Sequence, residues 1–188
     1  MATSPSVRRG ESIDRLLAPG ILAGMVAALA MGLFTMTAAV TWQHRAASAP
    51  LRDVAAIADP RFAETPAQRA ASSEPFDAPR EPQVFAGALH LLLGGLFGAV
   101  FGLLARAARL RGLAAVAAGL LFGLAVMVVS AALLLPATAA VSGTGTAISG
   151  LPGRLGWPTF AAAHVVFGLV LGVWVLLRPW DVARELSG

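Results

Sequence analysis

Polar and apolar residues in this chain are sorted into long blocks. They do not follow the short alternation of strands or the one-sided stripe of surface helices. Four blocks, Gly20–Trp42, Val84–Ala105, Leu113–Leu135 and Trp157–Leu177, carry no Asp, Glu, Lys or Arg in their interiors. Each has about 20 residues, the length a helix needs to cross ~30 Å of hydrocarbon. Backbone N–H and C=O groups find no water there, so an isolated apolar block crosses only as a helix. The pattern predicts an all-α polytopic membrane protein, a bundle of four transmembrane helices.

The same blocks divide the chain into an N-terminal tail (1–17), a first span (18–43), a polar loop (44–83) and a second span (84–106). A short turn (107–112), a third span (113–136), a Gly/Ser loop (137–156), a fourth span (157–178) and a tail (179–188) follow. The first span has the basic flank of a signal peptide in Arg8, Arg9 and Arg15, and Ala47-Ser48-Ala49 resembles a cleavage site. Its apolar run exceeds the 7–15 residues of a signal core, and Pro50 follows the would-be cut. A retained helix is expected. Pro136 is expected to stop the third helix, because proline has no N–H to continue it.

Arginines set the orientation. Arg106, Arg109 and Arg111 crowd the short turn, Arg8, Arg9 and Arg15 precede the first span, and Arg178 and Arg184 follow the last. These regions are expected in the cytoplasm. The 44–83 loop balances Arg45, Arg52, Arg61, Arg69 and Arg80 against six acidic residues, and the 137–156 loop has Arg154 alone. Both long loops are expected outside, with Trp42 and Trp157 in the outer aromatic belt and Trp180 in the inner one. Leu51, Val54, Ala55 and Ala58 fit one short amphipathic turn before Pro60. The remainder of that loop is too poor in apolar residues for a core of its own and reads as a largely disordered linker. Ser142-Gly143-Thr144-Gly145-Thr146 lacks the lysine and the strand–helix setting of a phosphate loop, and reads as a flexible connection.

Composition sharpens this reading in three places. Only 13% of residues are charged and the mean hydropathy is +0.74, against about 25% charged in soluble domains. All 14 basic residues are arginine, dispersed or next to spans, which excludes a nucleic-acid surface. The chain has no cysteine, which excludes disulfides, thiolate metal sites and cysteine nucleophiles.

Two spans share a motif. The second reads His90-x3-Gly94-x3-Gly98-x3-Gly102 and the fourth His164-x3-Gly168-x3-Gly172. Residues four apart lie along one helical ridge, so each histidine heads a glycine groove. The first and third spans rhyme through Gly20-x3-Gly24 and Gly119-x3-Gly123. A duplicated helical hairpin is expected, its copies related by a twofold along the membrane normal. Small residues at this spacing let helices approach closely in lipid, where apolar side chains alone provide no drive to associate.

The histidines carry the candidate chemistry. His90 and His164 are expected ~9–10 Å inside their spans at 1.5 Å per residue, with His44 just beyond the first span. Three readings stay open. Each imidazole bonds a neighbouring helix as packing glue; the pair, with His44 as third ligand, holds haem b or a Cu/Zn ion; or the pair lines a polar path and senses pH. The spans contain no carboxylate for a proton relay, no HExxH and no Ser–His pair in the membrane, so no catalytic residue is assigned and the chain is read as a non-enzyme.

The layout resembles the YagU-like small inner-membrane proteins of bacteria. The resemblance rests on Gly20-Ile21-Leu22-Ala23-Gly24, the long outer loop, His90, Gly119-Leu120-Leu121-Phe122-Gly123, Pro136 and His164. It implies a four-helix protein of the bacterial inner membrane, loosely tied to acid tolerance. A structural or accessory role follows, with haem- or metal-based redox chemistry at His90 and His164, or a channel or transporter component, as alternatives. The expected partners are the lipid bilayer and a second copy or another membrane protein.

Overall fold

The computed structural model describes residues 5–63 and 81–177, with side chains from Leu17 onward except those of Pro60, Ala63 and Glu81. Expectations placed on residues 64–80, on Arg178, Trp180 and Arg184, and on the side chains of Arg8, Arg9 and Arg15 lie outside the described residues. The described chain is all-α. The elements are α1 (Pro5–Thr41), α2 (Ala49–Ala55), a 3-10 turn (Pro60–Ala63), α3 (Glu81–Ala107) and α4 (Gly112–Val129). A π turn (Ser130–Leu134), α5 (Leu135–Ser142), α6 (Thr146–Ser149), α7 (Leu151–Leu155) and α8 (Trp157–Leu177) complete it. Four stretches, Leu17–Thr41, Pro82–Ala107, Gly112–Ser142 and Trp157–Leu177, are long and apolar enough to cross a membrane. This is a multi-pass membrane protein.

Pro136 does not stop the third span. The helix continues to Ser142 and ends at Gly143, whose φ of +69° suits glycine. In a regular α-helix the Pro136 ring would strike the Ala132 carbonyl. The π turn just before it widens the ladder, and the Leu135 N–H bonds the Ser130 carbonyl five residues back.

Two compact units emerge. The first comprises the described parts of Met1–Ala30, Leu91–Leu124 and Val165–Gly188. Its α1 and α3 meet backbone to backbone. A Cβ built on Gly24 would run into the Gly94 carbonyl oxygen and lie 2.7 Å from Gly98 Cα, and one on Gly20 would lie 2.8 Å from the Gly98 oxygen. α4 and α8 meet in the same way: a Cβ on Gly119 would lie 2.8 Å from Gly172 Cα, and one on Gly168 3.1 Å from Gly123 Cα. The two contacts correspond with Gly24 matched to Gly119 and Gly94 to Gly168. The internal repeat is therefore one helical turn out of the register suggested by pairing Gly20 with Gly119. Gly102 is buried on the same ridge of α3, and Phe101 and Phe122 join α3 to α4 at 5.2 Å between centroids.

The second unit comprises Met31–His90 and Ala125–His164, described here apart from 64–80. The loop segments fold in it. Ala55, Ala56 and Phe62 from the first loop join Ala86, Ala139 and Ile148 in one buried cluster. Leu151, Leu155 and Phe160 form another, with Met127 and Ala131 packed against it. Val54 and Leu135 pack against both. The 49–62 segment has too few apolar residues for a core of its own, and it shares one with span ends and with the second loop. Burying Ile148 or Phe62 in this way stabilises by about 1.5–3 kcal/mol each. The expected short turn before Pro60 is α2. In Ser142-Gly143-Thr144-Gly145-Thr146 the chain turns a corner at which the Ser142 and Thr144 hydroxyls meet at 2.7 Å.

Candidate functional site

Within the second unit, the end of α1 positions three polar side chains. His44 adopts φ +51°, which folds the chain back so that the Arg45 N–H bonds the Ala39 carbonyl at 2.8 Å. The turn leaves His44 exposed and Gln43 and Arg45 half-buried. The Gln43 amide donates to the Leu155 carbonyl (2.6 Å) and to Thr159 Oγ1 (3.1 Å), and the Trp42 indole N–H reaches the same hydroxyl at 3.3 Å.

Asp53 sits beside them on α2, only 3% exposed. A carboxylate so buried requires compensating charge, and two guanidiniums supply it. Arg45 Nη2 donates to Asp53 Oδ2 at 2.7 Å, and Arg154 Nε lies 3.5 Å from Oδ1. Arg154 also donates to the Ala147 carbonyl and, at 3.4 Å, to that of Thr146. One carboxylate thus ties the end of α1, the first loop and the second loop together. The cluster is not fully satisfied. Arg45 Nη1, Arg154 Nε, Arg52 Nε and Gln43 Oε1 are buried without a hydrogen-bond partner. A separate surface pair, Asp59 and Arg61, meets at 2.7 Å, and the Arg61 hydrogen bonds hold the Asp59 carboxyl below the usual carboxylate range.

His164 lies one turn before Gly168 on α8 and is 4% exposed. Its Nδ1 is 2.8 Å from the Phe160 carbonyl, and its ring packs on Phe160 at 4.5 Å between centroids. A carbonyl oxygen only accepts, so Nδ1 carries the hydrogen and the neutral ring keeps its lone pair on Nε2. His90, one turn before Gly94 on α3, is half-buried. Among the described residues no three His, Asp or Glu side chains gather where they would hold a metal ion. His44 therefore does not complete a three-ligand set with His90 and His164. The hydroxyls of Thr35, Thr37 and Thr41 bond carbonyls of their own helix at 2.8–2.9 Å.

Read from the sequence, Arg45, Asp53 and Arg154 were charges to be counted for orientation. Two local signals point further. Arg45 follows Trp42 by three residues and Arg154 precedes Trp157 by three, mirror-image placements at the ends of two spans. Ile148, Leu151 and Leu155 carry an i, i+3, i+7 apolar face through the second loop. The chain finds no match among protein-family models, curated proteins or solved structures.

Proposed function

We propose that this is a non-catalytic integral protein of the bacterial plasma membrane, structural or accessory in role. The setting is the envelope and acid-tolerance context that the YagU-like resemblance implies. Both termini are assigned to the cytoplasm and the Asp53 cluster to the outside. The observation that carries this reading is the backbone contact along both glycine ridges, where not even a Cβ fits between Gly24 and Gly94 or between Gly119 and Gly172. Helix pairs in such contact gain close dispersion packing in a solvent that gives apolar side chains no preference for one another, and they leave no water path along those seams. The absence of cysteine makes the test direct. Single-cysteine variants Ala58→Cys and Ala108→Cys are probed in intact cells with an impermeant maleimide, and the purified chain is reconstituted for flux. Labelling at Ala58→Cys alone, with no ion or solute flux from proteoliposomes, is the expected result. Labelling at Ala108→Cys instead overturns the orientation, and a flux abolished by His164→Ala overturns the accessory role.

A second reading rests on the imidazole of His164. An Nδ1–H anchored on a backbone carbonyl, as His164 has on Phe160, is the tautomer and orientation that metal-bound histidines use. On this reading His90 and His164 hold haem b or a Cu/Zn ion. Purified protein then shows a Soret band or stoichiometric metal that the His90→Ala/His164→Ala variant loses. A colourless, metal-free preparation from metal- and haem-supplemented cells excludes it.

A further inference from the structure

The Asp53 cluster has more positive charge than it uses. Among the described residues, Arg45 and Arg154 face a single carboxylate, and Arg52 precedes Asp53 on α2. Each of the three has a buried nitrogen without a hydrogen-bond partner. A buried charged donor left unpaired is costly, and acceptor oxygens of opposite charge relieve that cost most effectively.

The position of the cluster along the spans indicates which anion is at hand. α1 ends at Thr41 and α8 begins at Trp157. Trp42 and Trp157, each more than half exposed, flank those ends as interfacial anchors do. Arg45 and Arg154 lie three residues further out, where phospholipid phosphates sit. Their side chains are 32% and 25% exposed, so the cluster opens to its surroundings. A phosphodiester offers two unesterified oxygens and one negative charge, which matches the planar N–H fork of arginine. It also balances the excess that Asp53 leaves.

We propose that Arg45 and Arg154, held on either side of Asp53, bind a phosphate group, and that its source is the headgroup of a phospholipid in the leaflet facing the loops. The assignment holds whichever side of the membrane the loops occupy. It makes the folded loops a lipid-anchored cap.

The test is the thermal stability of the full chain in a non-ionic maltoside detergent. It is titrated separately with phosphatidylglycerol, with a phosphate-free glycosyl diacylglycerol of the same acyl chains, and with inorganic phosphate. At a hundredfold excess over Kd, phosphatidylglycerol is expected to raise Tm by about 5–10 °C. The phosphate-free lipid and inorganic phosphate are expected to leave it unchanged, and the Arg45→Gln/Arg154→Gln variant to lose the response. An equal rise with the phosphate-free lipid overturns phosphate recognition. An equal rise with inorganic phosphate alone overturns the lipid source. If the double variant does not fold, native mass spectrometry of the wild-type chain decides. Phosphatidylglycerol retained through delipidation while the glycolipid is stripped supports the site, and equal loss of both overturns it.

Discussion

Replacing Gly98 with leucine is expected to lower the apparent Tm in detergent by about 2–12 °C, a loss on the order of 1–3 kcal/mol. A Cβ at this position would strike the Gly20 carbonyl oxygen and Gly24 Cα and lie 2.5 Å from the Gly24 nitrogen. All three obstacles are backbone, so no rotamer change relieves them and α1 must move away from α3. Separation is uncompensated in a bilayer, because lipid covers the exposed faces without driving them together again. The equivalent change at Gly172, whose Cβ would lie 2.6 Å from Val116 Cα, should cost a similar amount through α4 and α8. Gly32→Leu is the control. It sits in the same α1, loses the same backbone freedom, and its Cβ meets nothing within 4 Å. Equal melting of Gly98→Leu and Gly32→Leu would remove the backbone contact as a source of stability.

The second large effect is expected from Asp53→Asn. Loss of the carboxylate charge leaves Arg45 and Arg154 facing one another across a neutral amide. Breaking a fully buried ion pair costs about 3–5 kcal/mol, and the partial exposure of both arginines brings the expectation down to about 1–3 kcal/mol. The effect should be local to the loops. With no lysine in the chain, trypsin cuts only at arginine, and cleavage at Arg52 and Arg154 should accelerate about tenfold or more as the folded loops open. Combining Asp53→Asn with Arg45→Gln should cost less than the sum of the two single changes, since both remove one interaction. Wild-type cleavage rates in Asp53→Asn would show that the carboxylate does not hold the loops.

The contrast between what was legible and what was not follows the range of the interactions. The four spans are written in local composition, since a run of twenty uncharged apolar residues has few alternatives in a bilayer, and α2 follows from Leu51, Val54 and Ala55 with Pro60 beyond. Spacing of four in Gly94-x3-Gly98 defines a ridge on α3, but the partner ridge and its register are properties of two helices, and these proved to be one turn away from the simplest match. The fate of Pro136 depended on whether the chain widened its ladder or ended its helix, a choice tied to the packing of Leu135 before it and Ala139 beyond it. Asp53 is the hardest case. Its partners, eight residues before it and about a hundred after it, leave no periodic trace, and counting signs in loops hides a charge that is buried. The buried face of the second loop, by contrast, was readable in Ile148, Leu151 and Leu155, masked by the glycines and hydroxyls between them.

The π turn at Ser130–Leu134 gives the third span two angular frames. At 3.6 residues per turn, one residue corresponds to about 100° of azimuth, and the widened turn takes up one residue without lengthening the ladder by a step. Residues up to Val129 are therefore indexed in one phase and those from Leu135 onward in another. Ala139, in the second phase, shares a buried cluster with Ile148 and Phe62. Chain length between Val129 and Leu135 thus works as a rotational setting. A sequence that shares this fold but is one residue shorter there would carry a continuous α-helix, and it would have to present a different position, and so a different side chain, to the same cluster.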